Sequence, residues 1–177
     1  SPLSSIEGTN YFNAMASAAN FAWANRQLIS WGVRKVFKEM FSENLNLLYD
    51  VAHNIAKIEE HQIDGKVKEV IVHRKGATRA FDGQPVIIPG SMGTSSYVLV
   101  GTSQSMLESF GSVCHGAGRT MSRHEAKKQI LGKQLKIDLE KMGIFIQAGS
   151  ISGLAEEAPL AYKDIHDVVD VVDKIGI

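Results

Sequence analysis

From Ser4 to about Phe41 the chain repeats alanines and bulky apolar residues at helical spacing, so everything else must be arranged around one long helix. Ser4 stands three residues before Glu7, a capping-box signature for its start. Ala14, Ala16, Ala18, Ala19, Ala22 and Ala24 allow another backbone to approach closely, while Phe12, Met15, Phe21, Ile29, Val33, Val36 and Phe37 supply a broad apolar face. A helix of this make-up is expected to lie buried in a core, with Gly32 as the place where it bends or divides.

The remaining segments are shorter and mixed. Residues 47–53 and 69–72 predict strands, and Asp64-Gly65 between them is the strongest short hairpin signal. Residues 86–88 and 97–100 predict a second strand pair, joined by the small, hydroxyl-rich run from Pro89 to Ser96, which cannot pack a core and must be a loop. Residues 122–129 and 134–142 predict helices, the second ended by Gly143. Residues 144–147 predict a strand and residues 155–162 a proline-interrupted turn. Residues 165–175 predict an amphipathic helix with Val168, Val169, Val172 and Ile175 on one side. There is no internal repeat and no regular βαβ alternation. The expected class is α+β, with mixed or antiparallel sheets and flanking helices.

Composition narrows the function classes. At 177 residues and 44% hydrophobic, the chain can build a sizeable core. Cys114 is the single cysteine and cannot form an internal bridge, and no apolar run is long enough to span a bilayer, so a cytoplasmic protein without a membrane partner is expected. Nineteen basic residues balance nineteen acidic ones, which argues against a protein that coats nucleic acid by charge alone. That balance is an average over segregated charge: residues 119–141 carry seven Lys/Arg against three acids, and residues 156–173 carry six acids against one lysine. The opening Ser-Pro-Leu has neither a methionine nor a signal-peptide pattern, so a processed, cut or longer protein is expected.

Four segments carry chemistry. In Cys114-His115-Gly116-Ala117-Gly118-Arg119 an imidazole sits among glycines with an arginine four residues on, an arrangement that suits a phosphate or, equally, a tight turn. A neutral imidazole is a competent nucleophile towards phosphorus, and Arg119 with nearby N–H groups could stabilise the developing charge. The 89–96 loop could cradle an anion, a base or a sugar, or be an ordinary connection; it lacks the Gly-Lys-Ser/Thr ending of a P-loop. His53, after Asp50-Val51-Ala52 and before Asn54, is either a metal ligand or a hydrogen-bonded histidine, and no HxH, HExxH or CxxC spacing supplies further donors. The run His73-Arg74-Lys75-Gly76-Ala77-Thr78-Arg79 is the densest basic patch, suited to nucleotide or RNA phosphates or to a solvated turn.

Together these segments resemble the RtcB family of RNA-splicing ligases. The matching runs are Ala18-Ala19-Asn20 with Trp23-Ala24-Asn25-Arg26, Asp50 to Ala56, His73 to Phe81, Gln84-Pro85 with Pro89 to Tyr97, and Cys114 to Arg119. Five motifs in order over nearly the whole chain make the resemblance specific. It implies a GTP- and manganese(II)-dependent enzyme that joins RNA ends bearing a 2′,3′-cyclic phosphate or 3′-phosphate, such as tRNA halves, to 5′-hydroxyl ends in tRNA splicing or RNA repair. It further implies His115 as the nucleophile that takes GMP from GTP, and His53 as a manganese ligand. Asn54 and Lys75, the loop residues Pro89, Gly90, Ser91, Met92 and Ser96, the donors Gly116, Ala117 and Gly118, and Arg119 and Tyr162 become guanine-nucleotide contacts. Cys114 matches the residue before the nucleophile and not the family's metal-binding cysteine.

The resemblance makes residues 1–177 the carboxy-terminal part of a single catalytic domain. The family's amino-terminal half, with its acidic, cysteine and two further histidine ligands and a GNH-type motif, has no counterpart here, nor has its lysine-ended tail. Between Phe81 and Asp82 the family usually carries about a dozen more residues, which implies a short loop or a closed-up gap. A monomer is expected, with an archease-like activator as a candidate partner. The polypeptide alone is expected to bind manganese weakly and not to ligate. A nucleotide- or RNA-binding segment without catalysis is the alternative.

Overall fold

Ser5, not Ser4, starts the long helix: its hydroxyl accepts a hydrogen bond from the Gly8 N–H at 3.0 Å, which leaves Glu7 in the first turn where its charge favours the helix N-terminus. The computed structural model describes all residues, Ser1–Ile177, and they divide into two compact units, Ser1–Arg79 and Ala80–Ile177. In the first unit α1 (Ile6–Phe41) runs through Gly32 without interruption and ends on Ser42, whose φ of 59° turns the chain away.

The expected burial of α1 is not found within its unit. Gly8 is its one buried residue, and Phe21, Leu28, Trp31 and Met40 stand exposed. Gly8 is covered by Pro2 and Leu3, and the hairpin beside the helix spans only about 33 Å against about 54 Å for 36 helical residues. That hairpin is β1 (Asn54–Ile63) and β2 (Lys66–Lys75), antiparallel from Asn54↔Lys75 to Ile63↔Lys66. Asp64 and Gly65 both take positive φ (54° and 73°), the pair of left-handed residues that a two-residue turn of this twist requires. The predicted strand at residues 47–53 is irregular backbone instead, because β2 pairs with the chain only from Asn54 onward. The irregular segment is tied to α1 by Arg34 Nε to Leu45 O (3.1 Å) and Arg26 Nε to Asp50 (2.7 Å). A short β3 (Ala77–Arg79) closes the unit.

The second unit is built on the expected strand pair β4 (Pro85–Ile88) and β5 (Tyr97–Val100), antiparallel with Ile88↔Tyr97 flanking the 89–96 loop. Then come α2 (Ser103–Glu108), β6 (Ser112–Cys114), α3 (Arg123–Gln129), α4 (Gly132–Lys141), α5 (Ile151–Glu156), a 3-10 turn (Pro159–Ala161) and α6 (Ile165–Lys174). Gly143 takes φ 79° after α4, as its place in the sequence predicts. Residues 144–147 form no strand, and α2 and α5 are helices that the pattern did not reveal. Six residues are too few to show a helical period, although the capping hydroxyls of Thr102 and Ser150 mark both starts. The core gathers Val86, Ile88, Val113, Ile165, Val172 and Ile177, so α6 buries the face its valines predicted against β4 and β6. Helices with small antiparallel strand pairs make the class α+β, as expected.

Candidate active site

The local geometry around His115 follows from two buried anchors. Val113 on β6 and Ala117 are both in the core, so the chain between them arches outward and leaves His115 exposed. Gly116 faces Pro89: a Cβ there would lie 3.4 Å from the Pro89 carbonyl oxygen, which sets the His115 turn directly against the 89–96 loop. Gly118 takes φ 78° and turns the chain so that Arg119 bridges to Tyr162, flanked by Lys163 N–H to Gly118 O (3.0 Å) and Thr120 N–H to Ala161 O (2.9 Å). Burial pushes the neighbouring Cys114 thiol up, which favours its protonated form.

The loop is folded on itself. Thr94 Oγ1 accepts from the Ser91 N–H (2.8 Å) and donates to Ser91 O (2.9 Å), and the Gly90 N–H donates to Ser96 Oγ (3.3 Å). Glycine is required at position 90, where a Cβ would lie 2.2 Å from Ser95 O. Beside the loop opens a cavity of about 480 Å³, with Ser91, Thr94 and Ser95 on one wall and Tyr162, Lys163 and His166 on the other. Tyr97, just after the loop, meets His166 Nδ1 through its hydroxyl at 2.5 Å, with the rings edge to face. Met92 and Glu157 line a neighbouring hollow.

Arg119 is largely committed to other protein groups. Its Nε donates to Met121 O (3.1 Å), NH2 to Glu156 O (2.6 Å), and NH1 to the Tyr162 hydroxyl (2.9 Å) and the Glu157 carboxylate (3.5 Å). The Tyr162 hydroxyl in turn donates to Glu157. That bond, with help from Arg123 and Arg119, holds the Glu157 carboxyl below the usual range, while burial and the adjacent carboxylate raise the Tyr162 phenol.

In the first unit the mouth of the hairpin brings three predicted residues together. Asn54 and Lys75 are its first register pair, and Gly76 N–H to His53 O (3.0 Å) closes the mouth, so His53, Asn54 and Lys75 are exposed side by side. Asp50, three residues earlier, is held by Arg26, whose guanidinium stacks 4.4 Å from the Trp23 ring. The basic patch at 73–79 is not one patch. Alternation along β2 exposes His73 and Lys75 but buries Arg74, which is 3% exposed and makes a bidentate pair with Glu59 (2.7 and 2.9 Å); His61 reaches the same carboxylate at 3.1 Å. No group of three or more His, Cys, Asp or Glu side chains is placed to hold a metal ion, at His53 or elsewhere.

Three residues of these clusters escaped the sequence reading: Glu59, Glu157 and His166. Each meets its partner across a chain closure or a strand face, and no spacing announces it.

The family model for the tRNA-splicing ligase RtcB matches residues 1–177. The chain belongs to the RtcB family. It is 53% identical to the tRNA-splicing ligase RtcB of Pyrococcus abyssi, over 99% of this chain and 21% of that protein. Those of Thermococcus kodakarensis and Archaeoglobus fulgidus are also 53% identical, over 99% of this chain and 40% of theirs. The chain thus spans about a fifth to two fifths of the length of these curated relatives. The alignments extend over 194 positions, more than the chain's 177 residues, so the relatives carry additional residues inside the matched span.

Proposed function

We propose that the protein carrying this chain is an RNA ligase that joins 2′,3′-cyclic phosphate or 3′-phosphate ends to 5′-hydroxyl ends, with GTP as the activating nucleotide and His115 as the nucleophile. The observation that carries the reading is His115 itself: an exposed imidazole on a turn anchored by Val113 and Ala117, set against the folded 89–96 loop. A neutral imidazole attacks the α-phosphorus of GTP; an N–P bond forms, the α–β P–O bond breaks, and pyrophosphate leaves with the electron pair. A 2′,3′-cyclic end is first opened by water to the 3′-phosphate; an oxygen of the RNA 3′-phosphate then attacks the phosphorus of the bound GMP, a P–O bond forms, the His115 N–P bond breaks and the imidazole leaves, so the 3′-phosphate, otherwise a poor electrophile, now carries GMP as a leaving group. Attack by the 5′-hydroxyl forms the phosphodiester and releases GMP.

Ser91 and Tyr162 face the cavity beside the loop and would hold the nucleotide, with the N–H groups of residues 116–118 next to the nucleophile. Arg119 contributes by fixing Tyr162, since most of its donors are spent on other protein groups. Manganese(II) belongs to the proposal with His53 as one donor. This span has no three-residue metal group, so under this proposal the other ligands would come from residues outside it. tRNA halves, an archease-like activator, a monomeric state and a cytoplasmic setting belong to the same proposal.

The test is labelling of the full-length protein with α-radiolabelled GTP. Transfer of label to His115, lost in His115→Ala with the thermal midpoint retained, is the expected result. Undiminished labelling of His115→Ala would overturn the assignment.

A further inference from the structure

We propose that Glu157 is a positioning residue that fixes the Tyr162 ring, directly and through Arg119, in the wall of the cavity beside the 89–96 loop, and so sets how tightly the guanine nucleotide is held. The inference rests on the reading of that cavity as the nucleotide site and adds to it a residue that neither the motifs nor local spacing singles out.

Three donors converge on one carboxylate. Glu157 accepts from the Tyr162 hydroxyl, from Arg119 NH1 at 3.5 Å and from Arg123 Nε at 3.1 Å. The Arg119 guanidinium also lies 4.8 Å from the centre of the Tyr162 ring and donates to its hydroxyl, so the ring has one face covered and its far end held from two sides. Arg119 is itself immobilised by two backbone carbonyls, Met121 O and Glu156 O. A tyrosine side chain turns about two torsions, and anchoring its hydroxyl while covering its face leaves little freedom in either.

This carboxylate is 45% exposed, and Arg123 is 65% exposed. Ion pairs in such a setting add little to folding, because water screens them and long side chains lose freedom in forming them. What the cluster supplies is geometry. Tyr162 lines the cavity that Ser91 faces, whereas Glu157 lines the neighbouring hollow, so in that cavity the carboxylate acts through the ring. Glu157 stands at the C-terminal cap of α5, whose start is fixed by Ser150; the helix therefore supplies a rigid mount for the carboxylate.

The experiment measures labelling of His115 in the full-length protein over a range of GTP concentrations, for the unaltered protein, Glu157→Gln, Tyr162→Phe and the double variant. Glu157→Gln keeps shape and volume and removes the charge. The expected result is a roughly fivefold to tenfold rise in half-saturating GTP, an unchanged labelling rate at saturation, and a thermal midpoint within about 2 °C of the unaltered protein. Tyr162→Phe removes the hydroxyl through which Glu157 acts, so the double variant should be no weaker than Tyr162→Phe alone. Half-saturation within twofold of the unaltered protein in Glu157→Gln, or effects that multiply in the double variant, overturns the inference. Absence of label from the unaltered protein overturns the nucleotide-site reading and this inference with it, so the two failures are told apart.

Discussion

Arg74→Met breaks the most buried ion pair of the first unit, and the structure sets the scale of the effect. Arg74 is 3% exposed, the Glu59 side chain is 8% exposed, and the two groups share hydrogen bonds of 2.7 and 2.9 Å. Methionine refills most of the aliphatic volume, so the loss is mainly that of a carboxylate left in a dry site with His61 beside it. Removing one partner of such a pair costs about 3 to 5 kcal/mol. With a urea slope of about 1 kcal/mol per molar for a unit of this size, the midpoint should fall by about 3 to 5 M. Both tryptophans, Trp23 and Trp31, lie on α1, so their fluorescence reports this unit in the intact chain.

The pH dependence adds a second check. Burial alone would raise the Glu59 carboxyl, but the hydrogen bonds from Arg74 and His61 outweigh it and hold it below its usual 4.5. A depressed carboxyl contributes stability above its unfolded value, and that stability is lost as the pH falls through the lower folded value. In Arg74→Met burial dominates instead, so the acid-side loss should vanish and the variant should gain on the unaltered protein as the solution is acidified. The double variant Arg74→Met, Glu59→Leu, which leaves no buried charge, should recover most of the midpoint. A shift of less than about 0.3 M in Arg74→Met, or no recovery in the double variant, would show that the pair does not hold this hairpin.

Gly90→Ala puts a Cβ 2.2 Å from Ser95 O, so the 89–96 loop must open; labelling of the full-length protein by GTP should weaken at least tenfold while far-ultraviolet circular dichroism stays unchanged. Gly65→Val forces a β-branched residue to a φ of 73° at the hairpin turn and should lower the first unit's stability by about 1 to 2 kcal/mol, read again by tryptophan fluorescence in urea; an unaffected midpoint would count against a left-handed Gly65. The isolated 177-residue polypeptide, which has no group of three or more His, Cys, Asp or Glu side chains placed for a metal, should bind manganese(II) with roughly millimolar or weaker affinity by calorimetry, and a micromolar site would contradict the donor geometry.

Much of the architecture was legible because it is local. The alanine-rich repeat, the Asp64-Gly65 turn, Gly143 after α4 and the valine face of α6 each depend on residues within a few positions of one another, and each stands where the pattern put it. The failures share one cause. A strand exists only opposite a partner, so residues 47–53, with strand-like composition but nothing to pair with, stay irregular. Likewise the alanines of α1 allow close approach but cannot supply the surface that approaches, and the unit offers a hairpin shorter than the helix. Arg74 looked like part of a phosphate-binding run because its neighbours are basic; the hairpin register turned it towards Glu59, fifteen positions back.

By itself, then, the sequence determined the helix, the turns, the class of fold and the family, because propensity, capping and motif chemistry act over short stretches of chain. It named His115, His53 and the 89–96 loop as the groups with chemistry to offer. Only the tertiary structure decided what surrounds them: His115 is lifted outward between two buried residues, Arg119 is spent on Tyr162 and Glu157 some forty positions away, and no three-residue metal group forms at His53. The difference is physical. Closing a chain of that length to bring one carboxylate, one phenol and a guanidinium together costs entropy that local preference cannot offset, and the packing of β6 with α6 in one core, and of α5 on α3 and α4, offsets it.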